Sequence, residues 1–240
     1  MNGKSIFALL LLAFVMAFPA RAQFRASLQA GPDLSNISMT LDGVERDIFS
    51  PRLGFHVSLA AEYMLGHRFG LESGLIYSHR GAIINPDKYY QGSELPEGFS
   101  MEGHVSMQTL EIPLYAKLKF RLSPNTRLFL AGGAFGSYSL KAEQYVKHSW
   151  EGDYIKMKWS LFEPDIQVMG ETEDNFLMLQ RFNAGIALKG GVEIGKLLTV
   201  GLGFRHVLNN MAAFGYSLNG RAVKPDISLW SVSMSLGYFL

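Results

Sequence analysis

The closing stretch reads Leu229-Trp230-Ser231-Val232-Ser233-Met234-Ser235-Leu236-Gly237-Tyr238-Phe239-Leu240. Trp230, Val232, Met234, Leu236 and Tyr238 share one parity; Ser231, Ser233, Ser235 and Gly237 share the other. Successive side chains of a strand point to opposite faces, so this alternation predicts a strand between two unlike environments. A large apolar face, ending a chain that opens with a secretion-type leader, predicts a β-barrel set in a membrane.

The leader reading rests on Lys4, the apolar run from Ile6 to Phe18, and the small residues of Ala20-Arg21-Ala22. The run is too short to cross a bilayer as a helix, so cleavage ahead of Gln23 is expected. Residues 1–22 then form a signal peptide and residues 23–240 one barrel domain. No later stretch is long and apolar enough for a membrane helix, and lipid admits only helices and closed barrels. Losing Lys4 and Arg21 takes the formal charge from +1 to −1, which leaves no basic excess for nucleic acid. The absence of cysteine excludes disulfides, thiol catalysis and cysteine metal sites.

Eight segments read as strands: 24–34, 51–65, 68–80, 105–121, 127–142, 179–194, 197–208 and 228–239. The connections alternate in length. Gly66-His67, Leu122 to Asn125 and Gly195-Lys196 are short, whereas 35–50, 81–104, 143–178 and 209–227 are long. Short turns at one end and long loops at the other fit an outer-membrane barrel with both chain ends on the periplasmic side. The expected fold class is all-β: an eight-stranded antiparallel up-and-down transmembrane β-barrel.

Charge placement tests this reading. Within the windows 24–30, 53–65, 69–77, 110–120, 180–194, 198–206 and 230–238 the charged residues are Arg25, Glu62, Glu72, Glu111, Lys117, Lys119, Arg181, Lys189, Glu193 and Arg205. All ten fall on the parity opposite the apolar stripe, which independent placement would give about once in a thousand. A Lys or Arg facing lipid at mid-membrane costs roughly 2–4 kcal/mol, which accounts for the exclusion. In strand 127–142 the glycines Gly132, Gly133 and Gly136 blur the two faces. Outward aromatics fall in two sets, with Phe24, Tyr63, Phe69, Phe120 and Tyr238 near the short turns. Phe55, Tyr77, Tyr138, Phe182, Phe204 and Trp230 lie near the long loops, as interfacial belts require. The competing architecture is a soluble lipocalin-type barrel with its apolar faces turned inward.

The chain resembles the PorT-like outer-membrane β-barrel family of Bacteroidetes. Ala30-Gly31-Pro32-Asp33-Leu34-Ser35 resembles that family's opening segment, and Leu110-Glu111-Ile112-Pro113-Leu114 its most distinctive run. Phe182-Asn183-Ala184-Gly185, Gly190-Gly191-Val192-Glu193 and Gly201-Leu202-Gly203-Phe204-Arg205 are similar to its closing Gly-rich hairpin. Asn209-Asn210 and Leu236-Gly237-Tyr238-Phe239 complete the likeness. The resemblance implies a cell-envelope barrel, and the family name reaches a protein-secretion component. Fold alone transfers no secretion activity.

Three sets of residues offer chemistry. The ten inward charges are expected to form a salt-bridged plug, because an eight-stranded barrel encloses little more than side chains and buried charges need partners. Among the histidines, His56 faces inward while His79 and His206 face outward, and no serine at motif spacing makes a nucleophile beside them. The histidines also lack metal-ligand spacing, so no catalytic residue, metal or cofactor is expected. The long loop 143–178 is the best binding candidate, through Trp150, Tyr154, Trp159, Glu163, Asp165, Glu171, Glu173 and Asp174. Parts 144–150 and 154–162 are expected to extend the neighbouring strands as a hairpin, and Glu163 to Asp174 could bridge Ca²⁺ to lipopolysaccharide. The expected function is non-enzymatic: a structural or surface-binding role toward outer-membrane lipid, lipopolysaccharide or an envelope protein. The alternative is a narrow channel or an accessory of a secretion or transport system.

Overall fold

Eight strands form the wall: β1 (Phe24–Leu41), β2 (Phe49–Met64), β3 (Phe69–Ile84), β4 (Ser100–Ser123), β5 (Thr126–Trp150), β6 (Phe182–Ile194), β7 (Leu198–Val207) and β8 (Asp226–Phe239). This computed structural model describes residues 24–90, 98–150, 153–162, 178–213, 216–218 and 221–240. The expected signal peptide lies outside them. Each strand pairs antiparallel with the next. β8 returns to β1, with register from Ser27↔Phe239 to Thr40↔Asp226, and closes the ring.

Several strands run further at the long-loop end than the sequence reading placed them. β1 reaches Leu41, β3 reaches Ile84, β4 starts at Ser100 and β5 ends at Trp150. Turn-type residues such as Ser35 and Asn36 suggested an end, yet the wall continues through them because Ile37 still alternates inward. Above β5 the strand Asp153–Ser160 folds back antiparallel, from Trp150↔Asp153 to Glu143↔Ser160, and makes the expected hairpin. Tyr216–Leu218 pairs with Arg221–Val223 in a separate small hairpin.

Burial is inverted relative to a soluble protein. Leu53, Leu202 and Leu236 are 70%, 64% and 62% exposed, while Glu111 and Asp33 are fully buried. So large an apolar exterior over a charged interior belongs in lipid, and it removes the lipocalin-type alternative. On β8, Val232, Met234, Leu236 and Tyr238 face out while Ser231 and Ser233 are buried in the lumen.

β5 shows why its parity is hard to read. Phe129 and Phe135 are buried inside the ring while Leu130 faces out, so large apolar residues occupy both faces. Gly185 and Gly191 of β6 permit this crowding, because a Cβ there would lie 2.6 Å from the Phe135 ring and 2.8 Å from the Phe129 ring. Pro113 leaves the β3–β4 register unbroken, and Ser73 donates a hydrogen bond to its carbonyl oxygen at 2.7 Å. A register shift lies at Gln108/Thr109 of β4.

The ring is filled in layers. Toward the long loops it holds an apolar plug that includes Ile37, Ile84, Val105, Met107, Leu161 and Ile227. Two loop segments complete this plug. Leu179 bridges Ala212, and Met211 donates its N–H to Ile227 and enters the mouth with 1% exposure. The charged layers lie below.

Candidate functional site

The inward parity of β1–β7 gathers the charges into two clusters. Glu62 of β2 meets Arg25 at 3.1 Å, Lys117 at 2.7 Å and Lys119 at 2.5 Å. Glu193 of β6 meets Arg25 at 2.7 Å, Lys119 at 2.6 Å and Lys117 at 3.4 Å. Glu72 of β3 is paired with Lys117 at 2.9 Å and also with Lys189. Arg25 lies 4.0 Å from the centre of the Phe239 ring, and Lys117 4.3 Å from that of Phe129. Aromatic faces attract these cations, so Phe129 serves the charges as well as filling space.

The second cluster sits nearer the plug. Arg80 reaches Glu111 at 2.8 Å and Asp33 at 3.3 Å; Arg205 reaches the same two at 3.6 and 3.8 Å. Arg205 also donates to the Ser233 hydroxyl at 3.1 Å. Asp33 and Arg80 are members that the sequence reading missed. Both keep the inward parity of their strands but lie beyond the windows whose charges were counted.

Arg181 belongs to neither cluster. It precedes β6 at the long-loop rim, where its guanidinium lies 4.3 Å from the Phe162 ring centre and donates to the Leu140 carbonyl at 3.3 Å. Between the clusters a cavity of about 40 Å³ is lined by His56, Ser58, Tyr115 and Ser233, among others. Buried polar groups around a space of this size suit one or a few ordered waters. Charges are paired below this cavity and apolar side chains are packed above it, so side chains fill most of the described lumen.

The histidines are not brought together. His56 is buried beside the second cluster, and His206 stacks along Phe204 on the outer wall. His79 lies 2.7 Å from the Ser106 hydroxyl, a contact across β3 and β4 that sequence spacing could not show. Among the described residues no carboxylate hydrogen-bonds to His79, so the pair lacks the orienting acid of a catalytic triad. The described residues also contain no cluster suited to a metal ion.

The hairpin of β5 and Asp153–Ser160 carries the loop candidates. Tyr154 is 60% exposed; Trp150 and Trp159 are half-buried, with Trp159 against the plug. Glu163, Asp165, Glu171, Glu173 and Asp174 lie outside the described residues. Lys158 and Lys156 sit opposite Tyr145 and Lys147 on one face of the hairpin. Lys156 and Lys147 lie 4.9 and 5.9 Å from the Tyr154 ring centre. At the base, Glu143 joins Lys141 at 2.9 Å and Lys158 at 3.0 Å. Burial alone would raise the Glu143 carboxyl; the two lysines together outweigh it and hold the group below its ordinary value.

Several solved structures are distantly similar to this chain. Among solved structures, OprG from Pseudomonas aeruginosa is 12% identical over 90% of this chain and 95% of its own, with a TM-score of 0.45. The outer membrane protease OmpT from Escherichia coli is 12% identical over 92% and 98%, with a TM-score of 0.40. The attachment invasion locus protein Ail of Yersinia pestis, solved with a heparin analogue, is 13% identical over 91% and 99%, with a TM-score of 0.37. No curated protein matches the sequence significantly. Residues 17–213 match the outer membrane protein beta-barrel domain family, and the chain belongs to that family of outer-membrane barrels.

Proposed function

We propose that this barrel acts without catalysis, as a surface-binding protein whose outer hairpin contacts the lipopolysaccharide layer. The observation that carries the reading is a hairpin face on which Lys141, Lys147, Lys156 and Lys158 surround exposed Tyr154 and outnumber the two acids that pair with three of them, Glu143 and, at 3.8 Å from Lys147, Glu102. Ammonium groups there pair with the phosphates of a glycolipid, and a tyrosine adds a flat contact for sugar. The filled lumen argues against the channel alternative. The signal peptide over residues 1–22 and membership of the PorT-like subgroup of Bacteroidetes belong to the same proposal, as does an envelope protein partner.

The test is binding of the full chain in detergent to immobilised lipopolysaccharide. The variant Lys147→Gln/Lys156→Gln/Tyr154→Ser is expected to bind about ten-fold more weakly. It should keep the wild-type gel shift between boiled and unboiled samples. Equal binding by variant and wild type would overturn the reading.

A further inference from the structure

At the short-turn end the lumen lysine Lys119 is held by Glu62 and Glu193, but the arginines at the turns themselves make no ion pair among the described residues. Arg68, Arg121, Arg127 and Lys196 stand in or beside the three short turns, and residues 65–68, 121–127 and 195–197 contain no Asp or Glu. The long connections hold the opposite balance, with sixteen acidic residues against seven Lys and Arg. Arg121 and Arg127 face each other directly in the β4–β5 register. Like charges at opposed positions destabilise a strand pair unless something neutralises them. Among the described residues, neither arginine nor Arg68 makes an ion pair, and all three are exposed.

These side chains surround a cavity of about 380 Å³, lined by His67, Arg68, Lys119, Phe120, Arg121 and Arg127. Five of its six lining residues are basic or histidine. The sixth, Phe120, is 40% exposed on the lipid-facing wall, so one edge of the cavity is that wall.

An apolar groove of about 650 Å³ lies next to it on the outer wall. Phe69, the neighbour of Arg68, and Leu118, two residues from Phe120, line this groove. Its floor is low because Ala116, Gly132 and Gly190 have little or no side chain. A Cβ at Gly132 would meet only the flexible end of Leu188, at 3.0 Å. The glycines therefore leave open an outward space that a longer side chain could fill.

We infer that the cationic cavity and the adjoining groove together form a binding site for an anionic phospholipid. Guanidinium groups match phosphate oxygens in pairs, and basic pockets at the membrane surface select anionic headgroups. An acyl chain would lie against Phe69 and Leu118 over the glycine floor. In an outer-membrane barrel the short turns face the periplasm, which places the site in the inner leaflet. The site is independent of the outer hairpin, so neither proposal depends on the other.

The test uses the full chain, stripped of lipid in detergent, and native mass spectrometry. The probes are phosphatidylglycerol and phosphatidylcholine with identical acyl chains. The wild-type protein should retain phosphatidylglycerol about ten-fold better. Arg68→Gln/Arg121→Gln/Arg127→Gln should bring retention of phosphatidylglycerol down to that of phosphatidylcholine. Gly132→Leu should lower retention of both lipids by filling the groove. Equal retention of the two lipids by the wild-type chain overturns the inference without any variant. So does displacement of phosphatidylglycerol by millimolar inorganic phosphate, which would mark a site for free anions only.

Discussion

Glu62 accepts three cations within 3.1 Å while being 2% exposed, so its charge is held by partners and not by water. Removing one side of such a buried group leaves the other side uncompensated, at a cost of about 3–5 kcal/mol. Glu62→Gln should lower the urea midpoint of unfolding from lipid vesicles accordingly. Adding Lys119→Met should recover part of the loss, because it removes one of the stranded cations. If the single variant unfolds at the wild-type midpoint, the cluster does not hold the wall together. Glu193 makes the same three contacts from β6 and is the natural second test.

The outer hairpin has its own titrating group. Glu143 is held below its ordinary carboxyl value of 4.5, so its pairing with Lys141 and Lys158 contributes fully above pH 4.5. That contribution is lost as pH falls through the lower, folded value. The protection factors of the amides in Asp153–Ser160, corrected for the intrinsic slowing of exchange in acid, should therefore fall as the pH is lowered, and Glu143→Gln should remove that fall. Protection that stays constant with pH in the wild-type chain would show that the base of the hairpin is held by packing alone.

The strands themselves were legible because a two-residue period survives in any wall with lipid outside and ion pairs within. Their upper ends were not, since a strand that rises into water no longer needs an apolar outer face. Asp33 and Arg80 lie within the segments read as strands but outside the central windows 24–30 and 69–77, although their parity already pointed inward. β5 was blurred because Phe129 and Phe135 place large apolar rings on the lumen side. The plug residues Leu179 and Met211 come from loops, and no local pattern announces a contact between segments far apart in the chain. The same holds for the cavity at the short turns: its arginines are plain in the sequence, but their common orientation around Phe120 is not.

At the scale of the molecule, two different seals lie in series. Planar bilayers containing the protein should show no reproducible conductance steps. Met107→Ala/Met211→Ala loosens the apolar layer and should still not conduct, since the ion-paired layers remain below it. Conductance by that double variant would mean that the plug is the only barrier. Ring closure sets a further condition, on how the protein is made. Ser27 pairs with Phe239, with nearly the whole chain between them. Without β8, β1 and β7 are bare edges, free to pair with any other strand. Such a distant contact is also slow to find. The final strand therefore acts as the latch of biogenesis. A ring lacking Asp226–Phe239 is an aggregation-prone open sheet, and any factor that escorts the folding chain must hold both edges until this strand is in place.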